Sequence, residues 1–259
     1  MRRTALETCL MMALGISMAV PSFAQAPANE DLNEKQAALS FNSMALGQMN
    51  QGKFDVAIDL LNQAIRLRPD FATAYYNLGS AYYFVGQPEN AVTALQKAID
   101  LHPSYNEAHN QLGVVYADLA EYEKAIAEFE RAIDQKPGDA TAHYNLGCTY
   151  IRLKDFKTAI ISLERAVKLQ PGNVEARINL GYAYSETKRY PEAISEMRQA
   201  VRLKPQDVEA QFFLGNLYLI VKDRQSALGQ HRAVNSLNPQ LAQKLYAAIY
   251  RDRIITVAR

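Results

Sequence analysis

The 34-residue stretch NEAHNQLGVVYADLAEYEKAIAEFERAIDQKPGD, residues 106–139, decides the fold. In its first half, Ala108, Leu112, Val115 and Leu119 follow the three-and-four spacing of one helix face. The second half repeats that spacing at Ala125, Ile126, Phe129, Ala132 and Ile133. Between them the pattern breaks for two or three residues, which is typical of a tight turn. The stretch therefore predicts a helical hairpin.

This hairpin pattern returns every 34 residues along the chain. Prolines mark the interval at Pro69, Pro103, Pro137, Pro171, Pro205 and Pro239. Glycines, each directly after a leucine, mark it at Gly79, Gly113, Gly147, Gly181 and Gly215. A glycine inside a helix costs about 1 kcal/mol relative to alanine, so its recurrence indicates a place where two helices approach closely. A proline cannot continue a helix, so it marks where each second helix has ended.

The repeated leucine–glycine pair, the alanines in register and the closing proline resemble the tetratricopeptide repeat (TPR). The units are 38–71, 72–105, 106–139, 140–173, 174–207 and 208–241. The resemblance covers about four fifths of the chain. It implies an all-α, right-handed α-solenoid of six helix-turn-helix repeats. The first and last units are atypical, with Ala45 in place of the glycine and His231 in place of Phe129, as expected at the ends of a solenoid.

The first 24 residues have the pattern of a secretory signal peptide. Arg2 and Arg3 precede an eleven-residue apolar stretch, 10–20, and Pro-Ser-Phe-Ala follows at 21–24. We expect cleavage after Ala24, and a periplasmic or secreted protein of the exported bacterial type. The alternative, an uncleaved anchor, is disfavoured because a membrane-spanning helix needs about 20 apolar residues.

Both ends of the repeat region have a predicted extension. Residues 25–37 are expected to form a short N-terminal lead that becomes helical near Leu32. Residues 242–259 are expected to form a C-terminal capping helix, with Leu245 and Ile249 on one face. Two interpretations of this last helix are open: it covers the exposed side of the sixth unit, or it is a basic docking segment for a partner or an anionic lipid.

Neither composition nor motifs favour catalysis or nucleic-acid binding. The chain has 28 basic and 27 acidic side chains, so it lacks the strong positive field of a nucleic-acid-binding protein. Its four histidines are scattered, and no metal-ligand, nucleophile or phosphate-loop motif occurs. Cys148 is the only cysteine after the predicted cleavage point, and we expect it to be a small packing residue. The sequence predicts no catalytic residue, no metal site and no cofactor.

The TPR resemblance implies a concave groove, formed by the first helices of successive units, that receives a protein or peptide segment. The sixth residue of four units is an amide, which gives an amide ladder of Asn77, Gln111, Asn145 and Asn179. Side-chain amides both donate and accept hydrogen bonds, so a ladder of them can bind a peptide backbone. Aromatic groove candidates are Tyr76, Tyr83, Phe84, Tyr144, Tyr182 and Phe212. Two alternatives stay open: the amides are simply common at this position of the family, and some aromatics pack between units.

The charged groove candidates are mostly acidic. They are Glu107, Asp118, Arg152, Glu175, Glu186 and Glu209. The sequence thus predicts a non-enzymatic adaptor that binds an uncharged or mildly basic protein segment to assemble or tether a cell-envelope complex. The alternative is a structural spacer or self-assembling subunit that uses its ends and its basic last helix.

Overall fold

The computed structural model describes the backbone of residues 26–251 and the side-chain environments of residues 32–250. Over this part of the chain it contains thirteen α-helices and no strand, which confirms the all-α prediction. The helices are α1 (Ala26–Met49), α2 (Phe54–Leu67), α3 (Ala72–Phe84), α4 (Pro88–Leu101), α5 (Asn106–Asp118), α6 (Tyr122–Gln135), α7 (Ala140–Arg152), α8 (Phe156–Leu169), α9 (Val174–Glu186), α10 (Tyr190–Leu203), α11 (Val208–Ile220), α12 (Arg224–Leu237) and α13 (Pro239–Arg251). The predicted signal peptide, 1–24, and residues 252–259 lie outside the described residues.

The helices pack in the order of the sequence. Each odd-numbered helix from α1 to α11 packs on the even-numbered helix that follows it, and that helix packs on the next odd-numbered one. Odd-numbered helices also contact each other between neighbouring hairpins, for example α5 and α7. This arrangement is the predicted solenoid, and it brings the first helices of successive hairpins side by side.

The repeated glycines lie where the two helices of a hairpin meet. A Cβ atom on Gly113 would lie 2.6 Å from Cε1 of Phe129, and one on Gly147 would lie 2.6 Å from Cγ of Leu163. In each case the facing side chain comes sixteen residues later, from the second helix of the same hairpin. Gly79 with Leu95 and Gly181 with Met197 show the same arrangement. The glycine therefore makes room for one large apolar side chain in each hairpin.

The turn inside each hairpin contains one residue in the left-handed backbone region. These residues recur at the repeat interval, with positive φ at Gly52, Gly86, Ala120, Lys154, Lys188 and Lys222. Glycine adopts this conformation without steric cost, whereas alanine and lysine do not. The turn geometry is thus kept even in the four hairpins whose sequence does not favour it.

The N-terminal lead differs from its prediction. Helix α1 begins at Ala26, six residues before Leu32, so the predicted lead is part of a 24-residue helix. The other odd-numbered helices have 13 residues. The stretch 32–46 contains neither glycine nor proline, and its Leu, Glu, Lys, Gln and Ala residues are good helix formers. This local preference extends the helix past the start of the first unit.

A recurrent side-chain hydrogen bond links each hairpin to the one before it. The fourth residue of a unit donates to the carbonyl oxygen of the proline that ends the preceding unit. The pairs are His109 with Pro103 (3.0 Å), His143 with Pro137 (3.1 Å), Arg177 with Pro171 (2.9 Å) and Gln211 with Pro205. His109 also contacts Glu128 at 2.7 Å, and both side chains are buried. His109 and His143 therefore hold adjacent hairpins together.

The last helix, α13, begins at Pro239 rather than at residue 242. It packs on α11 and α12. Ala242, Leu245 and Ile249 are buried in a cluster that also contains Phe212 and Val234 of the sixth hairpin. This helix thus covers the apolar side of the last hairpin.

Candidate functional site

The odd-numbered helices α3, α5, α7 and α9 form a continuous surface, which we call the groove surface. Side chains at the fifth, sixth, ninth, twelfth and thirteenth positions of several units make contacts between neighbouring hairpins. Most polar contacts on this surface join residues 34 or 35 positions apart, which are equivalent or adjoining repeat positions of neighbouring hairpins. The surface is therefore built from repeated positions.

Three amides of the predicted ladder form hydrogen bonds with side chains of the preceding hairpin. The side-chain nitrogen of Asn77 donates to Asn42 at 2.8 Å, and that of Asn145 donates to Asn110 at 3.1 Å. Asn179 donates to the Tyr144 hydroxyl at 3.2 Å and contacts the Cys148 sulfur at 3.3 Å. Each bond joins the sixth position of one unit to the preceding unit. The three asparagines thus hold adjacent hairpins together.

Burial limits which predicted residues can reach a ligand. Asn77 is only 6% exposed, and Phe212 is fully buried beneath α13. Both predictions are corrected on this point, because the neighbouring hairpin covers Asn77 and the capping helix covers Phe212. Gln111 is half-buried and makes no side-chain hydrogen bond within residues 32–250. It is the member of the ladder whose amide is available to a ligand.

The aromatic candidates divide into exposed and partly packed rings. Phe84 is exposed and stacks on Phe54 with ring centroids 4.8 Å apart. Tyr76 is half-buried beside Tyr105, and this burial raises the pKa of its hydroxyl. Tyr182 lies 6.3 Å from the ring of Phe213. Several aromatics therefore pack against neighbouring rings and stay partly exposed.

A chain of polar contacts crosses three hairpins at the centre of the groove surface. The Tyr83 hydroxyl donates to Asp118 at 2.5 Å, and this hydrogen bond raises its pKa to about 12. Arg152 donates to the same carboxylate at 3.2 Å and to the Ala117 carbonyl at 2.8 Å. The single cationic candidate is therefore paired with an anion. The exposed Glu107, Glu175, Glu186 and Glu209 make no ion pair within residues 32–250.

Cys148 lines a small depression in this surface. The depression has a volume of about 80 Å³ and is also lined by Val114, Asn145 and Arg152. Tyr144 contacts the thiol, and burial together with this cysteine raises the pKa of the tyrosine hydroxyl. Within residues 32–250, no group of three or more His, Cys, Asp or Glu side chains is arranged to hold a metal ion.

A larger open groove, which the sequence pattern did not reveal, lies between the second helices α6 and α8. Its volume is about 740 Å³, and its lining includes Ile133, His143 and Ile161. Ile161 is 69% exposed. The hydrophobic periodicity of α8 identifies its buried face, but a single exposed isoleucine on the other face is too weak a signal to find from sequence.

The chain belongs to the tetratricopeptide repeat family. A family model described as "TPR repeat" matches residues 49–86, and one described as "Tetratricopeptide repeat" matches residues 80–140, 144–208 and 186–230. Together these matches span well over half of the chain. Proteins of this family are in general non-catalytic scaffolds for protein interactions. No curated protein sequence matches the chain significantly.

Several solved structures share the fold. YrrB, described as a TPR protein with an unusual peptide-binding site, is 26% identical, with 72% of this chain and 97% of YrrB covered and a TM-score of 0.63. MamA from Desulfovibrio magneticus RS-1 is 26% identical over 65% of this chain and 96% of that one, with a TM-score of 0.61. PilF of Pseudomonas aeruginosa, at 18% identity, covers 83% of this chain and 99% of its own, with a TM-score of 0.73, and shows the fold alone.

None of the helices within residues 26–251 combines the length and apolar character that crossing a bilayer requires.

Proposed function

We propose that the protein is an exported adaptor whose groove surface binds an extended, uncharged or mildly basic protein segment and thereby assembles or tethers a cell-envelope complex. In this proposal it carries no catalytic activity and does not bind nucleic acid. The observation that carries the proposal is the continuous surface of α3, α5, α7 and α9, on which aromatic rings and the free amide of Gln111 lie beside unpaired carboxylates.

The charge of the groove surface favours a basic over an acidic segment. Arg152 is neutralised by Asp118, whereas Glu107, Glu175 and Glu209 are exposed along the first turns of three odd-numbered helices. Electrostatic complementarity selects partners mainly by excluding the wrong charge. An acidic segment would meet these carboxylates without a compensating cation.

The peptide-binding site named for YrrB is a property of that protein, and it supports a similar use of this surface only by analogy. The amides of this chain differ from a free ladder because three of them join hairpins. A peptide in this groove would therefore contact Gln111, the exposed ring of Phe84 and the partly exposed tyrosine side chains.

The test must separate ligand contacts from stability. A triple alanine change of Asn77, Asn145 and Asn179 should weaken the array itself, because each lost hydrogen bond costs about 0.5–1.5 kcal/mol. The sharper variant is Gln111→Ala with Phe84→Ser, measured against a partner identified by pull-down from envelope extract. We expect at least about tenfold weaker binding, with a loss of stability no larger than that of the Phe84–Phe54 stacking contact, about 0.5–1.5 kcal/mol. The matched control is Ile161→Ser, an equally exposed side chain between α6 and α8, which should bind normally.

Unchanged affinity in the Gln111→Ala, Phe84→Ser variant would exclude this surface as the binding site. Binding through neutral hydrogen bonds and aromatic burial should also depend only weakly on salt.

Export has its own test. We propose that residues 1–24 are removed and that the remaining chain is periplasmic or secreted. Mass spectrometry of the protein from the cell envelope should find Gln25 as the amino terminus. An intact Met1 on envelope-located protein would show that the segment is retained.

A further inference from the structure

The two ends of the solenoid differ in charge. The sequences of α1 and α2 contain five acidic and two basic residues, whereas those of α12 and α13 contain four basic residues and no acidic one. The whole chain is nearly neutral. The molecule is therefore an elongated array with a negative and a positive end.

The negative end presents a helix face that is covered in every other hairpin. Ser40 and Met44 of α1 are exposed, and Met44 is 51% exposed. In the five following units the equivalent positions hold alanine and leucine and are at most 7% exposed, because the preceding hairpin covers them. Leu39, directly before Ser40 in the sequence, is also half-exposed. Within residues 32–250, the first hairpin thus has a face of apolar and small side chains that no other helix covers.

The positive end presents a cluster of tilted aromatic rings. Tyr246 and Tyr250 of α13 are each about half-exposed, and their ring centroids are 4.4 Å apart. The His231 ring lies 5.4 Å from Tyr246, and the Arg224 guanidinium lies 4.7 Å from the centre of the Tyr250 ring. Each tyrosine side chain has few rotamers to lose on binding, and exposed tyrosines beside an arginine are typical anchors of protein interfaces.

We propose that the protein associates head to tail with a second copy of itself, the Met44 face of one molecule against the Tyr246–Tyr250 cluster of the next. The opposite charges of the two ends favour this pairing and oppose contact between two like ends. The contact joins two different surfaces, so a pair of molecules has no two-fold symmetry and retains one free end of each kind, to which further molecules can add. This inference does not depend on ligand binding in the groove.

The lengths of the terminal helices limit the size of such a contact. At 1.5 Å per residue, α1 is roughly 36 Å long and α13 roughly 20 Å long. A stable protein interface buries roughly 1,200–2,000 Å² in total. A contact limited to one face of each terminal hairpin would lie near the lower end of this range, so we expect a reversible, concentration-dependent association.

The test uses two variants of the purified protein, each with one end blocked. Tyr246→Ser with Tyr250→Ser blocks the positive end, and Leu39→Lys with Met44→Lys blocks the negative end. By analytical ultracentrifugation, the unchanged protein should form dimers and longer species as its concentration rises. Each blocked variant should remain monomeric, and Ile161→Ser should associate like the unchanged protein. Circular dichroism melts check that all variants are folded.

The mixture of the two blocked variants is the decisive sample. Each partner retains one intact end, so the mixture should form a dimer and nothing larger. Association of the unchanged protein should weaken by about tenfold or more between low and high salt, because exposed charges are screened. A protein that stays monomeric at all concentrations, a blocked variant that still associates, or a mixture that gives no dimer would each overturn the proposal.

Discussion

The fifth and sixth hairpins fill the same space by different means. In the fifth, the space beside Gly181 holds Met197 from the second helix of the same hairpin. In the sixth, the equivalent position is His231, and the space beside Gly215 holds Leu245 from α13, whose Cδ2 would lie 2.7 Å from an added Cβ. An inner hairpin completes its own core. The last hairpin depends on a helix that follows it.

This difference predicts the largest effect for loss of the capping helix. Deleting residues 242–259 removes Leu245 and Ile249 and exposes the apolar side of α11 and α12. The single change Leu245→Ala should by itself lower the free energy of unfolding by about 2–5 kcal/mol, as for other buried leucines. Urea denaturation of both variants measures these losses, and the deletion should give the larger one.

Tyr250→Ala is the matched control, because it changes a large side chain of the same helix that is half-exposed. Tyr250→Ala should lower the free energy of unfolding by much less than Leu245→Ala does. If the deletion leaves both melting temperature and oligomeric state unchanged, the segment is a free docking arm.

Comparing the fourth and fifth hairpins sharpens the role of the glycine. An added Cβ on Gly147 would lie 2.6 Å from the branched Cγ of Leu163, whereas one on Gly181 would lie 3.0 Å from Cγ and Sδ of Met197. Overpacking costs about 1–3 kcal/mol, and alanine recovers about 1 kcal/mol of helix propensity. Gly147→Ala should therefore destabilise by up to about 2 kcal/mol. Gly181→Ala should be close to neutral, since an unbranched methionine can move aside.

Both glycine variants are measured by chemical denaturation under one set of conditions. Equal losses at the two sites would show that the backbone, rather than the facing side chain, limits the helix contact.

The third and fifth hairpins differ in a buried ion pair. The third has His109 with Glu128, which also pairs with Arg131, and the fifth has Arg177 with Glu196 at the same positions. The hydrogen bond to Glu128 raises the pKa of His109 above its ordinary value of 6.5, although burial opposes the shift. The contribution of the His109–Glu128 pair to the free energy of unfolding is then fully present below about pH 6.5, and it is lost as the pH rises through the raised pKa.

The free energy of unfolding should therefore fall between pH 6 and pH 9, and His109→Gln should make this fall smaller. Arg177 keeps its charge over this range, so Arg177→Gln should lower stability by the same amount at both pH values. An unchanged pH dependence in the His109→Gln protein would show that the imidazole stays neutral in the folded state.

The repeat period allowed the hairpins and the glycine contacts to be predicted, since each depends on residues that recur every 34 positions. The repeat period could not predict contacts at positions where the units differ. Leu245 takes the place of the large apolar side chain that the other units have at the position of His231, but α13 is outside the repeat pattern. The asparagines were predicted to be a ligand surface, and the structure shows Asn77 and Asn145 bonded to the preceding hairpin. Sequence locates such an amide on a helix face without saying which neighbour reaches it first.

The hairpin turns predict the smallest effect. Lys188, with φ of 62°, adopts the same left-handed conformation as Gly86, with φ of 74°. A side chain in this region costs about 1 kcal/mol, although a more flexible unfolded chain offsets part of the gain from glycine. Lys188→Gly should raise the free energy of unfolding by up to about 1 kcal/mol. Gly86→Ala should lower the free energy of unfolding by about the same amount. Nothing lies within 4 Å of an added Cβ, so this loss would come from the backbone conformation alone. Effects of the same sign at both turns would mean that backbone conformation does not determine their stability.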